Sequence, residues 1–336
     1  MIFCSNRCDI IKSVKNLLVT GGAGFIGSNF IHYMLQKYPE YTVINFDKLT
    51  YAGNLNNLKE AQVLFGDRYT FIQGDICDEN LVASLMPRVD TIVHFAAESH
   101  VDVSIKNPDI FLQTNIMGTH ALLKAALAHG KKRFHHVSTD EVFGSLDLDG
   151  GKFREDTPYD PRSPYSSSKA ASDHLVSAYF HTYGLPTTIS NCSNNYGPFQ
   201  FPEKIIPLFI LRAMKDKMLP IYGDGKSVRD YLFVEDHCMA IDLILHKGII
   251  GESYCIGGDS EKNGQEIADV VLKITGKSDT LKEFVPDRLG HDRRYAIDHS
   301  KITEHLGWSP QTSFEEGIKK TVKWYQDNKS WYEDLS

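Results

Sequence analysis

Tyr165 and Lys169 close the run Tyr165-Ser-Ser-Ser-Lys169, and a spacing of four sets a phenol and an ammonium on one face of a helix. A phenol with an ordinary pKa near ~10 is a poor base at neutral pH, but positive charge beside it favours the phenolate. Such a pair can take the proton of an alcohol while hydride leaves the carbon. Upstream, the run from Ser138 to Gly144 holds a hydroxyl, Thr139, placed to orient the alcohol oxygen, and two adjacent carboxyls, Asp140 and Glu141. If both carboxyls face one ligand, burial and mutual repulsion separate them into a protonated acid and an ionised base. Simple alcohol oxidation needs neither. Elimination of water needs both: a base for a proton made acidic by a new carbonyl next to it, and an acid for the departing hydroxyl. Taken singly, each motif also describes a solvated helix face or a helix-initiating acidic pair, so the setting decides.

Hydride needs an acceptor. The β-rich run 16–20 leads into Gly21 and then Gly22, Gly24 and Gly27, which satisfy GxGxxG between a strand and a helical pattern. Gly22 suits the tight turn, Gly24 the close approach of backbone amides to a pyrophosphate, and Gly27 the contact of helix against strand. The helix start adds unpaired N–H groups and a positive dipole end. Asp47 closes the second strand twenty residues beyond Gly27, where a carboxylate accepts from both adenosine-ribose hydroxyls and repels a 2′-phosphate. The cofactor expected is therefore NAD rather than NADP. Asp75-Ile76 and Ala96-Ala97 end two further strands, where an open α/β sheet receives its ligands.

Short β-rich runs at 16–20, 42–46, 69–73, 91–95, 134–138 and 187–190 alternate with helical patterns at 27–38, 78–85, 114–129 and 164–183. That alternation predicts an α/β fold, a Rossmann-type doubly wound parallel sheet. After Asn195 prolines multiply and helices at 205–215, 235–246 and 264–275 dominate, predicting a smaller, mostly helical substrate domain over the carboxyl edge of the sheet. The division expected is an N-terminal extension at 1–15, an NAD-binding domain at 16–193 and a substrate domain at 194–336, with a strand free to pass back into the first domain.

With 36 Lys and Arg against 43 Asp and Glu, the formal charge is −7, so no global positive field draws nucleic acid or an anionic membrane. Any anionic ligand has to be met locally. No uncharged run approaches the ~20 residues that span a bilayer, and Arg7, Asp9 and Lys12 interrupt the start of the chain; a cytoplasmic protein is expected. Six dispersed cysteines without a CxxC pair suggest neither a disulfide framework nor a thiolate metal site. No metal is expected.

Residues 21–27, the segment Asp47-Lys-Leu-Thr50 with Gly53, Ala96-Ala-Glu-Ser-His100, the triplet Thr139-Asp-Glu141 and the Tyr165/Lys169 pair together resemble the extended short-chain dehydrogenases, and among them the nucleotide-sugar 4,6-dehydratases. The likeness runs over residues 15–325. The triplet discriminates, because nucleotide-sugar 4-epimerases share the glycines and the Tyr/Lys pair but generally lack this acid–base pair. What the resemblance implies is a lyase that converts a nucleotide-diphosphate hexose, dTDP-glucose foremost, into the 4-keto-6-deoxy sugar, with Thr139, Asp140, Glu141, Tyr165 and Lys169 catalytic. It implies that NAD is held by residues 21–27, chiefly Gly21, Gly22, Gly24, Phe25, Ile26 and Gly27, and by Asp47, Lys48, Leu49 and Thr50. Asp75, Ile76, Ala96, Ala97, Ser99, Thr114, Tyr165, Lys169 and Asn195 complete that set. The sugar is expected on Ser99, Thr139 and Asn194, and the nucleoside diphosphate on Lys204, Ile205, Pro220, Ile221, Tyr222, Arg229, Asn263, Arg288 and His291. A homodimer is implied through the helices at 114–129 and 164–183. The chain departs from the family pattern at Val103, where arginine is common, and at Leu289, where proline is common; dTDP and UDP both stay open as the nucleotide. The competing readings are a nucleotide-sugar 4-epimerase and a noncatalytic NAD-binding scaffold.

Overall fold

The computed structural model describes residues 14–287 and 292–333. Strands in the first half are β1 (Asn16–Thr20), β2 (Thr42–Asp47), β3 (Tyr69–Gln73), β4 (Thr91–His94), β5 (Arg133–Thr139) and β6 (Thr187–Cys192). The second half adds β7 (Asn194–Tyr196), β8 (Leu219–Tyr222), β9 (Val228–Phe233), β10 (Ser253–Ile256), β11 (Glu261–Asn263) and β12 (Lys282–Val285). β10, β6, β5, β4, β1, β2 and β3 lie side by side in that order, every neighbouring pair parallel. The chain winds outward from β1 in both directions, so β1 and β4 flank the switch point where a doubly wound sheet opens its ligand crevice.

Successive side chains of a strand point to opposite faces, and β1 shows both faces to be covered. Leu17 and Val19 pack with Phe30, Ile31 and Met34 of the helix Phe25–Lys37 and with Ile241 and Leu245 of the helix Val234–Lys247. Leu18 faces the other way, among Val82, Leu85, Leu122, Leu123 and Val176. A separate core joins the helices Ile205–Met214, Gly264–Thr275 and Phe314–Asp327 around Phe209, Ile267, Val271 and Ile318.

All six strands predicted for the first half form, with ends within two residues of the expected ones. The seventh, β10, comes from the second half and pairs Ser253 to Ile256 with Ile189 to Cys192. Sequence reading allowed a strand to pass back into the first domain but did not locate it, because a buried run of four residues acquires its structure only from the neighbour it pairs with. Strands of three to six residues also thread the helical second half, where β7 and β11 pair with β9 and β12 pairs with β8. One tie binds the halves near the glycine loop: the Trp331 indole donates to Asn57 Oδ1 at 2.6 Å, and the Asn57 amide in turn donates to the Ala23 carbonyl at 2.9 Å.

Candidate active site

At the switch point the chain leaves β1 through Gly21, whose φ of +70° suits glycine and where an added Cβ would stand 2.6 Å from the backbone of Ala96. Gly27 lies so close to the Gly21 carbonyl that a side chain there would collide with it. The first turn of the helix Phe25–Lys37 therefore presses against the strand ends, and Gly24, Phe25, Ile26 and Gly27 line a deep cavity. Asp47 closes the far side, accepting from the Ala23 amide at 2.9 Å and the Leu49 amide at 2.8 Å. Burial raises its carboxyl pKa while the two amides act to lower it. Each oxygen keeps a lone pair for a further donor. Lys48 pairs with Asp75 at 2.8 Å across the cleft. Thr50, Ile76, Ala96, Ala97, Ser99, Thr114 and Asn195 stand on the same wall. Gly22 and Leu49 stand behind it, Gly22 packed on the Asn45 side chain and Leu49 donating to Asp47. A cradle that admits no Cβ, helix-start amides and a carboxylate aimed at the cleft fit a dinucleotide.

The helix Pro164–Tyr183 begins where sequence says it should: Ser163 caps it, Ser166 reciprocates in a capping box, and Pro164 takes the first position; Gly184, at φ +65°, ends it. That start fixes Tyr165 and Lys169 against the floor of the cavity, both buried. β5 delivers the other three groups. Its last residue, Thr139, caps the short turn Asp140–Phe143 by accepting from the Glu141 amide at 3.3 Å. Asp140 and Glu141 both line the cavity beside Tyr165. Asp140 is 2 % exposed, its Oδ1 accepts from the Thr139 hydroxyl at 3.3 Å, and its Oδ2 has no hydrogen-bond partner among the described residues. Burial, then the charges of Glu141 and Asp230, hold this carboxyl well above the usual carboxylate range, against the opposing pull of Arg229. Burial thus favours its proton-bearing form.

One expectation is not met by the protein atoms alone. Burial pushes the Tyr165 phenol well above its ordinary value, with Glu141 adding to the rise and a hydrogen bond with Thr139 opposing it. Lys169 directs Nζ to the Val137 carbonyl at 2.9 Å, and burial lowers its pKa to about 8. A desolvated phenol loses more from burial than it gains from an ammonium aimed past it, so a phenolate needs positive charge delivered into the cavity.

Several groups at this site escaped sequence reading. His136, on the face of β5 toward the helix, lies 3.3 Å from Lys169 Nζ and 3.2 Å from Asp173 Oδ1. Asp173 is the next turn of the Tyr165/Lys169 face, and that spacing was the available signal. A π-helical segment, Leu112–Gly118, interrupts the expected helix and puts Thr114 on the wall, a common use of such bulges. Within it Asn115 accepts from the Glu98 amide at 2.9 Å and donates to the Glu98 carbonyl at 3.0 Å, clamping the 96–99 strap.

A second compartment adjoins the first, the two sharing Ser99, Glu141, Asn194 and Lys204. Ile205, Pro220, Ile221, Tyr222 and Arg229 line it. The Arg229 guanidinium stacks 4.1 Å over the ring of Tyr295, a wall residue whose hydroxyl hydrogen-bonds Asp292 and which sequence reading missed. Asn263 stands apart. Its side-chain oxygen accepts from the Gln265 and Glu266 amides, both at 3.0 Å, as cap of the helix Gly264–Thr275. Arg288 and His291 lie outside the described residues.

A model of the GDP-mannose 4,6 dehydratase family matches residues 18–321. The dTDP-glucose 4,6-dehydratase of Neisseria meningitidis is 48% identical over 346 residues, covering 96% of this chain and 96% of the relative. A crystal structure of the dTDP-glucose 4,6-dehydratase of Streptomyces venezuelae with NAD bound superposes with a TM-score of 0.91 at 48% identity, covering 96% of this chain and 100% of that one. A UDP-glucose 4-epimerase of Thermotoga maritima, crystallised with UDP-glucose, is more distant in sequence: 31% identity, TM-score 0.86, covering 93% of this chain and 99% of that one.

Proposed function

The chain belongs to the GDP-mannose 4,6 dehydratase family, and from that membership we propose how its residues divide the dehydration of a nucleotide-diphosphate hexose, dTDP-glucose, to the 4-keto-6-deoxy sugar. The observation that carries this reading is the meeting of Tyr165 with two carboxyls in one cavity, one of them buried, with its pKa raised by burial and one oxygen that has no hydrogen-bond partner among the described residues. An epimerase needs the phenol and the ammonium; it has no use for an acid beside a base.

The glycine loop and Asp47 would hold NAD, which would supply a hydride acceptor for carbon 4, a hydride donor for carbon 6 and positive charge beside the phenol. Tyr165 removes the proton of the 4-hydroxyl while Thr139 orients its oxygen. The resulting ketone acidifies the hydrogen on carbon 5, which Glu141 removes. Asp140 gives its proton to the carbon-6 hydroxyl, which leaves as water, and a proton then returns to carbon 5. Each acid or base contributes ~10²–10⁴-fold. Lys204 and Arg229 meet the diphosphate, which is how an acidic protein binds an anion.

Incubation with dTDP-, UDP-, GDP- and CDP-hexoses tests this by product mass. The dTDP-glucose product should be lighter by one water; an unchanged mass with inverted carbon 4 would establish an epimerase, and no turnover on any substrate would leave a scaffold.

A homodimer through the helical face of Leu112–Gly118 and Pro164–Tyr183 completes the reading. It is supported by Leu112, Met117 and Tyr183, apolar or aromatic side chains 46%, 52% and 48% exposed there. Sedimentation should give a dimer that Met117→Lys weakens. No helix of the described residues is long and apolar enough to cross a membrane; a cytoplasmic setting is part of the proposal.

A further inference from the structure

Asp173 is nearly fully buried and has no role in the mechanism above. Its Oδ2 accepts from the Ser138 hydroxyl at 2.8 Å, the Tyr159 hydroxyl at 2.9 Å and the Asn191 amide at 3.2 Å. Burial raises the pKa of this carboxyl, while Lys169 and the three donors act to lower it, so the contacts on Oδ2 favour the carboxylate form against burial. The other oxygen, Oδ1, makes no hydrogen bond among the described residues and instead faces His136 Nε2 at 3.2 Å. That same Nε2 stands 3.3 Å from Lys169 Nζ. Tyr165, Lys169 and Asp173 repeat every four residues, so one helix face carries phenol, ammonium and carboxylate in line. His136 is fully buried and, with burial and Lys169 both lowering its pKa, neutral. It is a spacer between two opposite charges.

We propose that Asp173 is a positioning residue for the oxidation step: by way of His136 and the Ser138 contact it keeps Lys169 charged and aimed at the floor of the cavity. The inference rests on Tyr165 and Lys169 being the pair that oxidises carbon 4. An isolated buried ammonium loses its proton unless a counter-charge lies close. Among the described residues the groups facing Lys169 are His136 from β5, His94 from β4, Cys192 from β6, and Tyr165 and Asp173 from its own helix, with Asp140 and Glu141 lining the same cavity. His94 and His136 are held neutral by burial and the Cys192 thiol is pushed up to about 12, so among the described residues facing Lys169 it is Asp173 that supplies negative charge. Tyr159, from the loop before the helix, faces the carboxylate and helps to hold it ionised.

The test is the pH profile of kcat for the holoenzyme with dTDP-glucose. In the unmutated protein the alkaline limb is expected to report loss of the Lys169 proton, whose pKa burial lowers to about 8. Asp173→Asn keeps an acceptor for Ser138 and Tyr159 but removes the charge. Its alkaline limb should move about one pH unit toward acid, with KM within about twofold and product mass unchanged. A uniform loss of kcat at every pH, or a limb that stays in place, would overturn the proposal in favour of a packing role. Should Asp173→Asn fail to yield folded holoenzyme, Ser138→Ala removes one donor to the same carboxylate, and its limb must move the same way by less; an unmoved limb there overturns the proposal too. Absence of any water loss by the unmutated protein would instead sink the underlying reading, so the two failures are distinct.

Discussion

The floor and the outer wall of the cavity are built by opposite rules. On the floor Tyr165, Lys169, Thr139 and Asp140 are at most 9 % exposed and hang from a capped helix and a central strand. On the wall the Lys204 side chain is 41 % exposed and Tyr222 is 49 % exposed, with Arg229, 8 % exposed and stacked over Tyr295, as the buried exception. Proton transfer requires groups whose ordinary pKa values have been moved, and only burial in a fixed frame moves them far. Recognition of a diphosphate requires charge that reaches out, and solvated side chains do that at little cost in stability. Floor changes should therefore act on kcat and pH dependence, wall changes on KM.

The largest effect expected is on the floor. Tyr165→Phe should lower kcat by ~10²–10⁴-fold with KM little altered, measured as initial rates of keto-sugar formation; a large rise in KM with kcat intact would erase the division. On the wall, Lys204→Ala should raise KM about tenfold, the ~1.4 kcal/mol of one charged contact, and leave kcat within about twofold. A third region serves as control. Asp242, in the helix Val234–Lys247, gathers Lys37, Tyr38 and His246 at 2.6, 2.9 and 2.8 Å. The His246 pKa is raised through its Asp242 contacts, against burial, so it contributes stability that is fully present below the ordinary histidine value and lost as pH rises through the raised one. His246→Asn should lower Tm by ~2 °C at pH ~6 and by less at pH ~8.5, with kcat and KM unchanged.

The same contrast explains what sequence alone could reveal. The glycine loop, Asp47, the Tyr165/Lys169 pair and the Thr139 triplet were legible because each is local: a cap, a turn or a helix period fixes where the side chain goes. His136 and Asp173 were not, since a histidine in a buried strand reads as core until the helix opposite is known. Asn263 looked like a ligand by its place in the chain, yet its oxygen is spent on the helix it starts. Leu112–Gly118 read as plain helix because a π turn leaves no mark in composition. β10 was hidden because its partner lies more than sixty residues upstream. The substrate wall, assembled from separate short strands and loops, was foreseen only through family likeness.

Everything turns on whether the buried acid beside the oxidising pair is what separates water loss from mere oxidation. Asp140→Asn, loaded with NAD and mixed with dTDP-glucose, answers this when product mass and nicotinamide absorbance are followed together. The account predicts that the nicotinamide is still reduced while the sugar keeps its water; release of a dehydrated sugar at the rate of the unmutated enzyme would contradict it.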